Sequence, residues 1–281
     1  MKDEERKSEG RSEKAEVDVL PPPSSFILHP SSFLRVRGLT KRLGGQPILR
    51  GVDLEVAAGQ TLVIIGRSGG GKSVFLKHLV GLLQPDAGEI VVEGENIVGL
   101  SERRLAPLRR KVGILFQSGA LFDSMTVAGN VAFPLRESGE RDPARIAEAV
   151  REALDVVNLD GQQDKMPVDL SGGMRKRVAL ARAIITRPRG ILYDEPTAGL
   201  DPVVSDSINR LIRRLQARLG VTAVVVTHDM RSAFDVADRI AYLKDGRIGF
   251  EGTAAELQAA PDPDIQDFIA GRSRGRMKDE G

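Results

Sequence analysis

The sequence predicts an α/β fold whose core is a largely parallel β-sheet. Apolar runs typical of buried strands alternate with amphipathic helices along most of the chain, and such alternation favours parallel strands joined by right-handed crossovers. One glycine-rich loop stands between a strand and a helix, and extra strands before and after it indicate an antiparallel β layer. The expected domain therefore has helices packed on the parallel sheet and a second, antiparallel layer beside it.

The glycine-rich loop, GRSGGGKS, fits the phosphate-loop pattern G-x-x-x-x-G-K-[ST]. It follows the apolar run QTLVIIG, which predicts a buried strand, and precedes a predicted helix from Val74 to Leu83 with one apolar face. Backbone N–H groups and the helix N-terminus would form an anion site there. The residues expected around the phosphates are Gly66, Arg67, Ser68, Gly69, Gly70, Gly71, Lys72, Ser73 and Val74.

This loop predicts a P-loop NTPase that binds a nucleoside triphosphate with Mg²⁺. Lys72 would reach the β- and γ-phosphates, and the Ser73 hydroxyl would ligate the metal. The alternative is a glycine-rich turn with a solvent-facing lysine. The loop alone leaves the reaction open, because kinases, GTPases and transport ATPases share it.

Composition excludes several classes of protein. The 281 residues contain no cysteine, which rules out disulfides and thiolate chemistry, and the net charge of +2 does not support nucleic-acid binding. No apolar run is long enough to predict a membrane span. The charged N-terminus lacks the apolar core of a secretory signal.

Residues 33–271 are predicted to form one continuous domain between two polar ends. Residues 1–32 combine a Lys/Glu-rich stretch with a Pro/Ser-rich one, and we expect them to be disordered. Residues 272–281 are predicted to be a flexible tail.

Within that domain, hydrophobic periodicity assigns the elements in order. FLRVRGLTKRL and ILRGVDLEV predict strands before the loop, and EIVVEGENIVGL predicts a strand pair after it. A helix is predicted from Pro143 to Leu159, followed later by buried strands GILYDE and VTAVVVTHD. The helix between those strands has an apolar face from Val204 to Leu219, and RIAYLKDGRIGFEG predicts a hairpin that turns at Asp245-Gly246.

The strand GILYDE ends in two carboxylates, Asp194 and Glu195. Asp194 would hold Mg²⁺, and Glu195 could polarise the water that attacks the γ-phosphate. A solvated turn is the alternative interpretation of two acidic residues at this place.

A second glycine-rich helix start, Ser171-Gly172-Gly173, lies far along the chain from the phosphate loop. The free backbone N–H groups and the positive dipole at this helix N-terminus would form another anion site. One nucleotide has little use for two such sites from one chain, so the pattern favours two copies arranged head to tail. Each Ser171 would then face the γ-phosphate held by the other copy, although Ser-Gly-Gly alone is also a common turn and N-cap.

Three further residues are weaker candidates when each is taken alone. Gln117 follows an apolar strand and could touch Mg²⁺ or the attacking water, or be an ordinary turn residue. His228 ends a strand and could bond the γ-phosphate or be a satisfied core or strand-end histidine, while Asp201 could simply be an N-cap. The basic run from Arg175 to Arg177 is interpreted as a solvated helix face.

The order of these motifs resembles that of the ATP-binding cassette family, over essentially all of residues 33–271. The resemblance implies ATP and Mg²⁺ as cofactors, a nucleotide-sandwich homodimer and a helical signature subdomain. It implies Glu195, His228 and Gln117 as catalytic residues, and Ser73, Gln117 and Asp194 as metal ligands. It adds Ser171, Gly172, Gly173, Asp201 and Leu43 to the nucleotide contacts of the loop.

A narrower resemblance is to the ATPases of Mla/Mce-type lipid transporters, through FQSGALFDSMTVAGNVAFPL and Met174 after Ser-Gly-Gly. It implies an ATPase subunit at the cytoplasmic face of the cell membrane, bound to an integral permease and an Mce-type lipid-binding subunit, without nucleic acid. Leu43 departs from the family, where an aromatic residue usually stacks on adenine, so base selectivity is open. The alternatives are a cassette for another transported substrate or an ATP-switched protein outside transport.

Overall fold

The computed structural model describes residues 32–272. The predicted disordered extension, residues 1–32, and the predicted flexible tail, residues 272–281, lie outside this range apart from one residue each. Ser32 begins the first strand, and Arg272 follows the last helix. None of the helices in the described part of the chain is both long and apolar enough to cross a membrane.

Strands and helices follow one another along the chain as expected for an α/β protein. The strands are β1 (Ser32–Leu43), β2 (Gln46–Ala57), β3 (Thr61–Ile65), β4 (Ala87–Val92), β5 (Glu95–Asn96), β6 (Val112–Leu115), β7 (Gly190–Asp194), β8 (Thr222–Thr227), β9 (Arg239–Lys244) and β10 (Arg247–Gly252). The α-helices are α1 (Lys72–Leu79), α2 (Glu102–Arg110), α3 (Val127–Glu137), α4 (Pro143–Val156), α5 (Gly172–Ile184), α6 (Pro202–Leu219), α7 (Met230–Val236), α8 (Ala254–Ala259) and α9 (Pro263–Ile269). A short 3-10 helix spans Pro167–Asp169.

The main sheet has the strand order β10-β9-β3-β8-β7-β6. All of its pairings are parallel except that of β10 with β9, which form the predicted hairpin across Asp245-Gly246. Every residue of β3, β7 and β8 is buried, because both faces of the sheet are covered. The predicted parallel core is therefore confirmed.

The predicted antiparallel layer is also confirmed, as a second sheet of order β2-β1-β4-β5. Side chains of β3 alternate between two cores. Leu62 and Ile64 pack with the antiparallel sheet and α1, whereas Val63 and Ile65 pack with the helices on the opposite face. The second core includes residues of α3, α4 and α5, which form the expected helical part of the domain.

Two predicted helices end earlier than expected, and one predicted core residue is at the surface. α1 stops at Leu79, because Gly81 adopts a left-handed backbone and the N–H groups of the next residues turn back to Lys77. α4 ends at Val156 rather than Leu159, just before Asn158, which is left-handed. Leu219, placed on the apolar face of its helix by periodicity, is exposed at the last position of α6.

The strand order decides which loops become neighbours. β3, β8, β7 and β6 lie side by side and parallel, with Ile65 paired to Thr227, Val226 to Asp194, and Tyr193 to Leu115. The carboxyl ends of all four strands therefore reach the same edge of the sheet, where α/β proteins bind ligands.

Candidate active site

The phosphate loop joins β3 to α1 and leaves the N-terminus of that helix open. Gly71 takes the N-cap position with φ 96°, and no side chain caps the helix. A Cβ on Gly66 would lie 2.4 Å from the Leu243 carbonyl oxygen, so only glycine fits there. The first N–H groups of α1 lack intrahelical partners, which gives the site that a phosphate requires.

Lys72, the lysine of this loop, is buried and folded back over the loop backbone. Its Nζ donates to the carbonyl oxygens of Gly66 at 2.7 Å and Arg67 at 3.1 Å, and lies 3.8 Å from Glu195 Oε1. Burial lowers the pKa of Lys72, while the Glu195 and Asp194 carboxylates act in the opposite direction. The ammonium group therefore lies between the loop and the predicted carboxylates.

Ser73 and Asp194 meet although they are far apart in sequence. The Ser73 hydroxyl donates to Asp194 Oδ1 at 2.8 Å. Burial raises the pKa of Asp194, and the hydrogen bond from Ser73 works against that rise. A hydroxyl and a carboxylate beside a phosphate site are hard oxygen donors, a set that fits Mg²⁺ bound partly by nucleotide and water.

Glu195 is held by residues at the end of β8. Its Oε1 bonds His228 Nδ1 at 2.9 Å, and its Oε2 accepts from the Thr227 hydroxyl at 3.1 Å. Its backbone has φ 47°, an unusual conformation for a residue with a side chain. A cleft of about 290 Å³ opens beside Glu195 and His228, and its other lining residues belong to the turn after β7, to α6 and to the start of α7 rather than to the phosphate loop.

Gln117 lies at the same edge, after β6, with its side chain exposed. Its carbonyl oxygen accepts a hydrogen bond from Lys176 Nζ, which also donates to the Glu195 carbonyl oxygen at 3.3 Å. Lys176 is only 5% exposed, so the interpretation of residues 175–177 as a solvated face was wrong for this residue. It was also wrong for Arg177, which is partly buried and donates to the Val157 carbonyl oxygen.

The Ser171-Gly172-Gly173 segment starts α5, as predicted, with Ser171 exposed at the N-cap. The Ser171 hydroxyl accepts from Met174 N at 3.3 Å. Asp201 caps α6 in the same way, accepting from the N–H groups of Val203 and Val204. The N-cap interpretation of Asp201 is therefore confirmed, and its proposed contact across a dimer stays a prediction.

Gly173 is required by packing against α6. A Cβ at this position would lie 2.6 Å from Val204 Cγ1, and the β-branched side chain of Val204 has little freedom to rotate within a helix. The glycine therefore lets the first turn of α5 approach the first turn of α6 closely.

Replacing Gly173 with alanine is expected to destabilise the protein by about 1–3 kcal/mol, because the added methyl group overpacks this contact. Helix propensity alone predicts the opposite sign, since alanine is favoured over glycine by about 1 kcal/mol in a helix interior. The free energy of unfolding in denaturant measures the difference. Gly173→Ala combined with Val204→Ala is the matched control and should recover the loss; a stabilised single variant would contradict the packing argument.

The structure thus brings Lys72, Ser73, Asp194, Glu195 and His228 into one cluster: Ser73 bonds Asp194, Glu195 bonds His228 and pairs with Lys72, and the chain joins the two groups at Asp194-Glu195. In the described part of the chain, Ser171, Asp201 and Leu43 lie outside that cluster, and Leu43 is exposed at the end of β1. Sequence reasoning missed Thr227 and Lys176. Thr227 directly precedes the predicted site residue His228 at the end of VTAVVVTHD, and this position could have indicated its role. No pattern in the sequence indicates that Lys176 is buried.

The sequence matches the family model for the ABC transporter over residues 49–198. It is 41% identical over 242 residues to the probable ribonucleotide transport ATP-binding protein Mkl of Mycobacterium leprae, covering 86% of this chain and 70% of that protein. It is 40% identical over 245 residues to the intermembrane phospholipid transport system ATP-binding protein MlaF of Escherichia coli K12, covering 87% of this chain and 91% of that protein.

Among solved structures, the fold is similar to that of the ATP-binding cassette MJ0796, in a dimeric post-hydrolysis state with ADP and Pi. The TM-score is 0.73 at 33% sequence identity, covering 78% of this chain and 98% of the other. The similarity extends to the arrangement of a parallel core sheet and an antiparallel layer described above.

Proposed function

This chain belongs to the ABC transporter family as an ATP-binding and ATP-hydrolysing subunit, and on that premise we propose that it drives lipid transport through a separate membrane permease. The observation that carries the ATPase chemistry is the cluster at the sheet edge. A phosphate loop, a Ser73–Asp194 pair and a Glu195–His228 pair lie together there.

The loop residues bind the nucleotide. The open N-terminus of α1 and the loop N–H groups would bind the phosphate oxygens, and Lys72 would leave the loop carbonyls to reach the β- and γ-phosphates. Ser73, Asp194 and Gln117 would hold Mg²⁺, which supplies positive charge to the phosphates. Leu43 would contact the base without the stacking that an aromatic ring provides.

Glu195 would act as the general base for the water. Its two oxygens are held by different partners, so the carboxylate is oriented before the water arrives. His228 bonds the Oε1 atom and would orient Glu195, and its ring would also bond the γ-phosphate. Gln117, held by its backbone beside Glu195, would contact the same water.

Two copies of the chain would complete the site. Ser171 is exposed at the N-terminus of α5, where the first backbone N–H groups of the helix would bind an anion. In a head-to-tail pair, Ser171 and Asp201 of one copy would face the nucleotide on the loop of the other. The similar cassette MJ0796 is a dimer in its post-hydrolysis state, which supports this arrangement.

The segment after Gln117 supports docking of a permease. Phe122 is 40% exposed, yet the loop around it is held in place by Asn130, which bonds the backbone N–H and carbonyl of Phe122. The ring also packs against Phe133, with 4.7 Å between centroids. A pre-organised apolar side chain at the surface is the kind of feature that a partner protein recognises.

One relative supports the proposed cargo. MlaF is a phospholipid transport ATP-binding protein and aligns along nearly its whole length with this chain, which supports a phospholipid or similar lipid as cargo. We therefore propose that the chain acts as a peripheral subunit on the cytoplasmic face of the cell membrane, in a complex that includes an Mce-type lipid-binding subunit. This assembly has no need for nucleic acid.

Phe122→Asp tests the transport part of this proposal. The new carboxylate should abolish association with the permease, because burying an unpaired charge in an apolar interface is costly. ATPase activity of the isolated chain should stay within about twofold of the parent, since Phe122 lies outside the site cluster. The measurements are co-purification of tagged chain with membrane proteins, and ATPase rate with and without membranes.

Leu82→Asp is the matched control, since Leu82 is also an exposed apolar residue but lies after α1. It should leave permease association intact. Identifying the partner and its cargo completes the test: a partner that moves only small hydrophilic solutes contradicts the lipid proposal. A chain that binds no membrane protein contradicts the transport proposal and favours an ATP-switched role.

A further inference from the structure

Helix α5 carries two basic side chains that bind the backbone of loops at the active-site edge. Lys176 donates to the carbonyl oxygens of Gln117 and Glu195. Six residues further on, Arg182 donates to the carbonyl oxygens of Gly119 and Ala120, each at 2.7 Å. One helix therefore holds both the loop after β6 and the turn after β7.

Two of these carbonyls belong to residues with an unfavourable backbone conformation. Ala120 and Glu195 both have φ 47°, in the left-handed region that is unfavourable for a residue with a side chain. In each case a cation from α5 binds the carbonyl oxygen of the left-handed residue. Charge-assisted hydrogen bonds are stronger than neutral ones, so these cations stabilise the strained turns.

Lys176 is also an unusual buried cation. Within residues 32–272 no carboxylate oxygen lies within 4.0 Å of its ammonium nitrogen, so its direct partners are neutral carbonyls. Asp194 and Glu195 act on it only at longer range, and burial lowers the pKa of Lys176 in spite of them. Burying a cation this way is costly, which argues for a role that a neutral residue would not fill.

We propose that Lys176 is a positioning residue for ATP hydrolysis, holding the backbone of Gln117 and Glu195 together so that both side chains meet the same water. The inference rests on the roles proposed above for Gln117 and Glu195. Lys176 has no predicted contact with nucleotide or with the water. Its effect is on geometry: without it, the left-handed turn at Glu195 relaxes and the carboxylate moves from its place beside His228.

Lys176→Met tests this inference, because methionine has a similar length and fills the space without a donor. We expect kcat to fall by roughly 10- to 100-fold, since a displacement of about 1 Å can cost that much in an oriented site. The KM for ATP and the affinity for a fluorescent ATP analogue should stay within about twofold, because the phosphate loop and Lys72 are unchanged. A purely structural role would not separate kcat from KM in this way.

Lys176→Arg and Lys176→Gln are measured in parallel, so that the test survives if the methionine variant does not fold. Arginine keeps a charged donor and glutamine a neutral, shorter one, so kcat should decrease in the order parent, arginine, glutamine, methionine. Lys77→Met is the matched control. Lys77 is exposed on α1 and acts on Asp194 through charge alone, so its loss should leave kcat within about twofold.

A double variant separates positioning from a general loss of activity. If Lys176 acts through Gln117 and Glu195, the kcat losses of Gln117→Ala and Lys176→Met should not multiply in the double variant. Multiplicative losses, an unchanged kcat in Lys176→Met, or an equal loss in Lys77→Met would each overturn the inference. The proposed ATPase function is tested separately from the role of Lys176. If the parent hydrolyses ATP and Glu195→Gln does not, the ATPase function stands even where the Lys176 inference fails.

Discussion

Glu195→Gln is expected to abolish steady-state ATP hydrolysis while ATP binding is retained. The amide has almost the same shape as the carboxylate, so the contacts with Thr227 and His228 can be made in modified form. It cannot take the proton of the attacking water, and general-base catalysis contributes typically about 10²–10⁴-fold to the rate. Lys72 and the phosphate loop keep their full ability to bind phosphate, so the variant should accumulate in the ATP-bound state.

The measurements are the ATPase rate, the affinity for ATP, and the apparent mass in solution with and without ATP. An ATP-dependent dimer that persists is expected, because the nucleotide between the two copies is no longer consumed. Glu148→Gln is the matched control: Glu148 is exposed on α4, and its ion pair within residues 32–272 is with Arg151, so its loss should change neither rate nor mass. If Glu195→Gln hydrolyses ATP at near the parent rate, Glu195 is not the general base.

Mixing a Lys72→Ala chain with a Ser171→Arg chain is expected to restore activity that neither chain has alone. Lys72→Ala removes the cation that would bind the β- and γ-phosphates, so its own loop should fail at nucleotide binding. Ser171→Arg should bind ATP normally on its own loop but block the partner's nucleotide with a bulky side chain. Both homodimers then lack any intact composite site.

The mixed dimer contains one intact site, formed by Lys72 of the Ser171→Arg chain and Ser171 of the Lys72→Ala chain. With equal amounts and random pairing of the two chains, about half of the dimers are mixed, and each mixed dimer has one of its two sites intact. If the sites act independently, the mixture should therefore reach about a quarter of the parent activity. Each variant mixed with itself is the control. An inactive mixture in which mixed dimers are shown to form would contradict the composite site, as would full activity in dilute monomer.

The parts of the site that the sequence predicted correctly are local. The phosphate loop needs only a strand, eight residues and a helix start, all contiguous in the chain, and the Asp245-Gly246 hairpin depends on two turn residues. The N-cap alternative that the sequence offered for Ser171 and Asp201 is local for the same reason, since a cap bonds N–H groups two or three residues away.

Periodicity failed where tertiary packing overrides the helix pattern. Lys176 occurs in a run of three basic residues, which is typical of a solvated face, yet it is buried between the loops after β6 and β7. Leu219 fits the apolar spacing of α6 but lies at its exposed end. Hydrophobic spacing indicates which side of a helix faces the protein, and it does not indicate where along the helix the protein ends.

The sequence by itself determined the local chemistry: a loop built to hold phosphate, two carboxylates that end a buried strand, and a second helix start with glycines. Only the tertiary structure decided that the loop and the two carboxylates meet, whereas the second helix start lies apart from them within one chain. The Ser73–Asp194 bond joins residues 121 positions apart, and it exists because β7 lies two strands from β3, with β8 between them. The order of parallel strands depends on how crossovers pack over the whole sheet, and no short stretch of sequence encodes it.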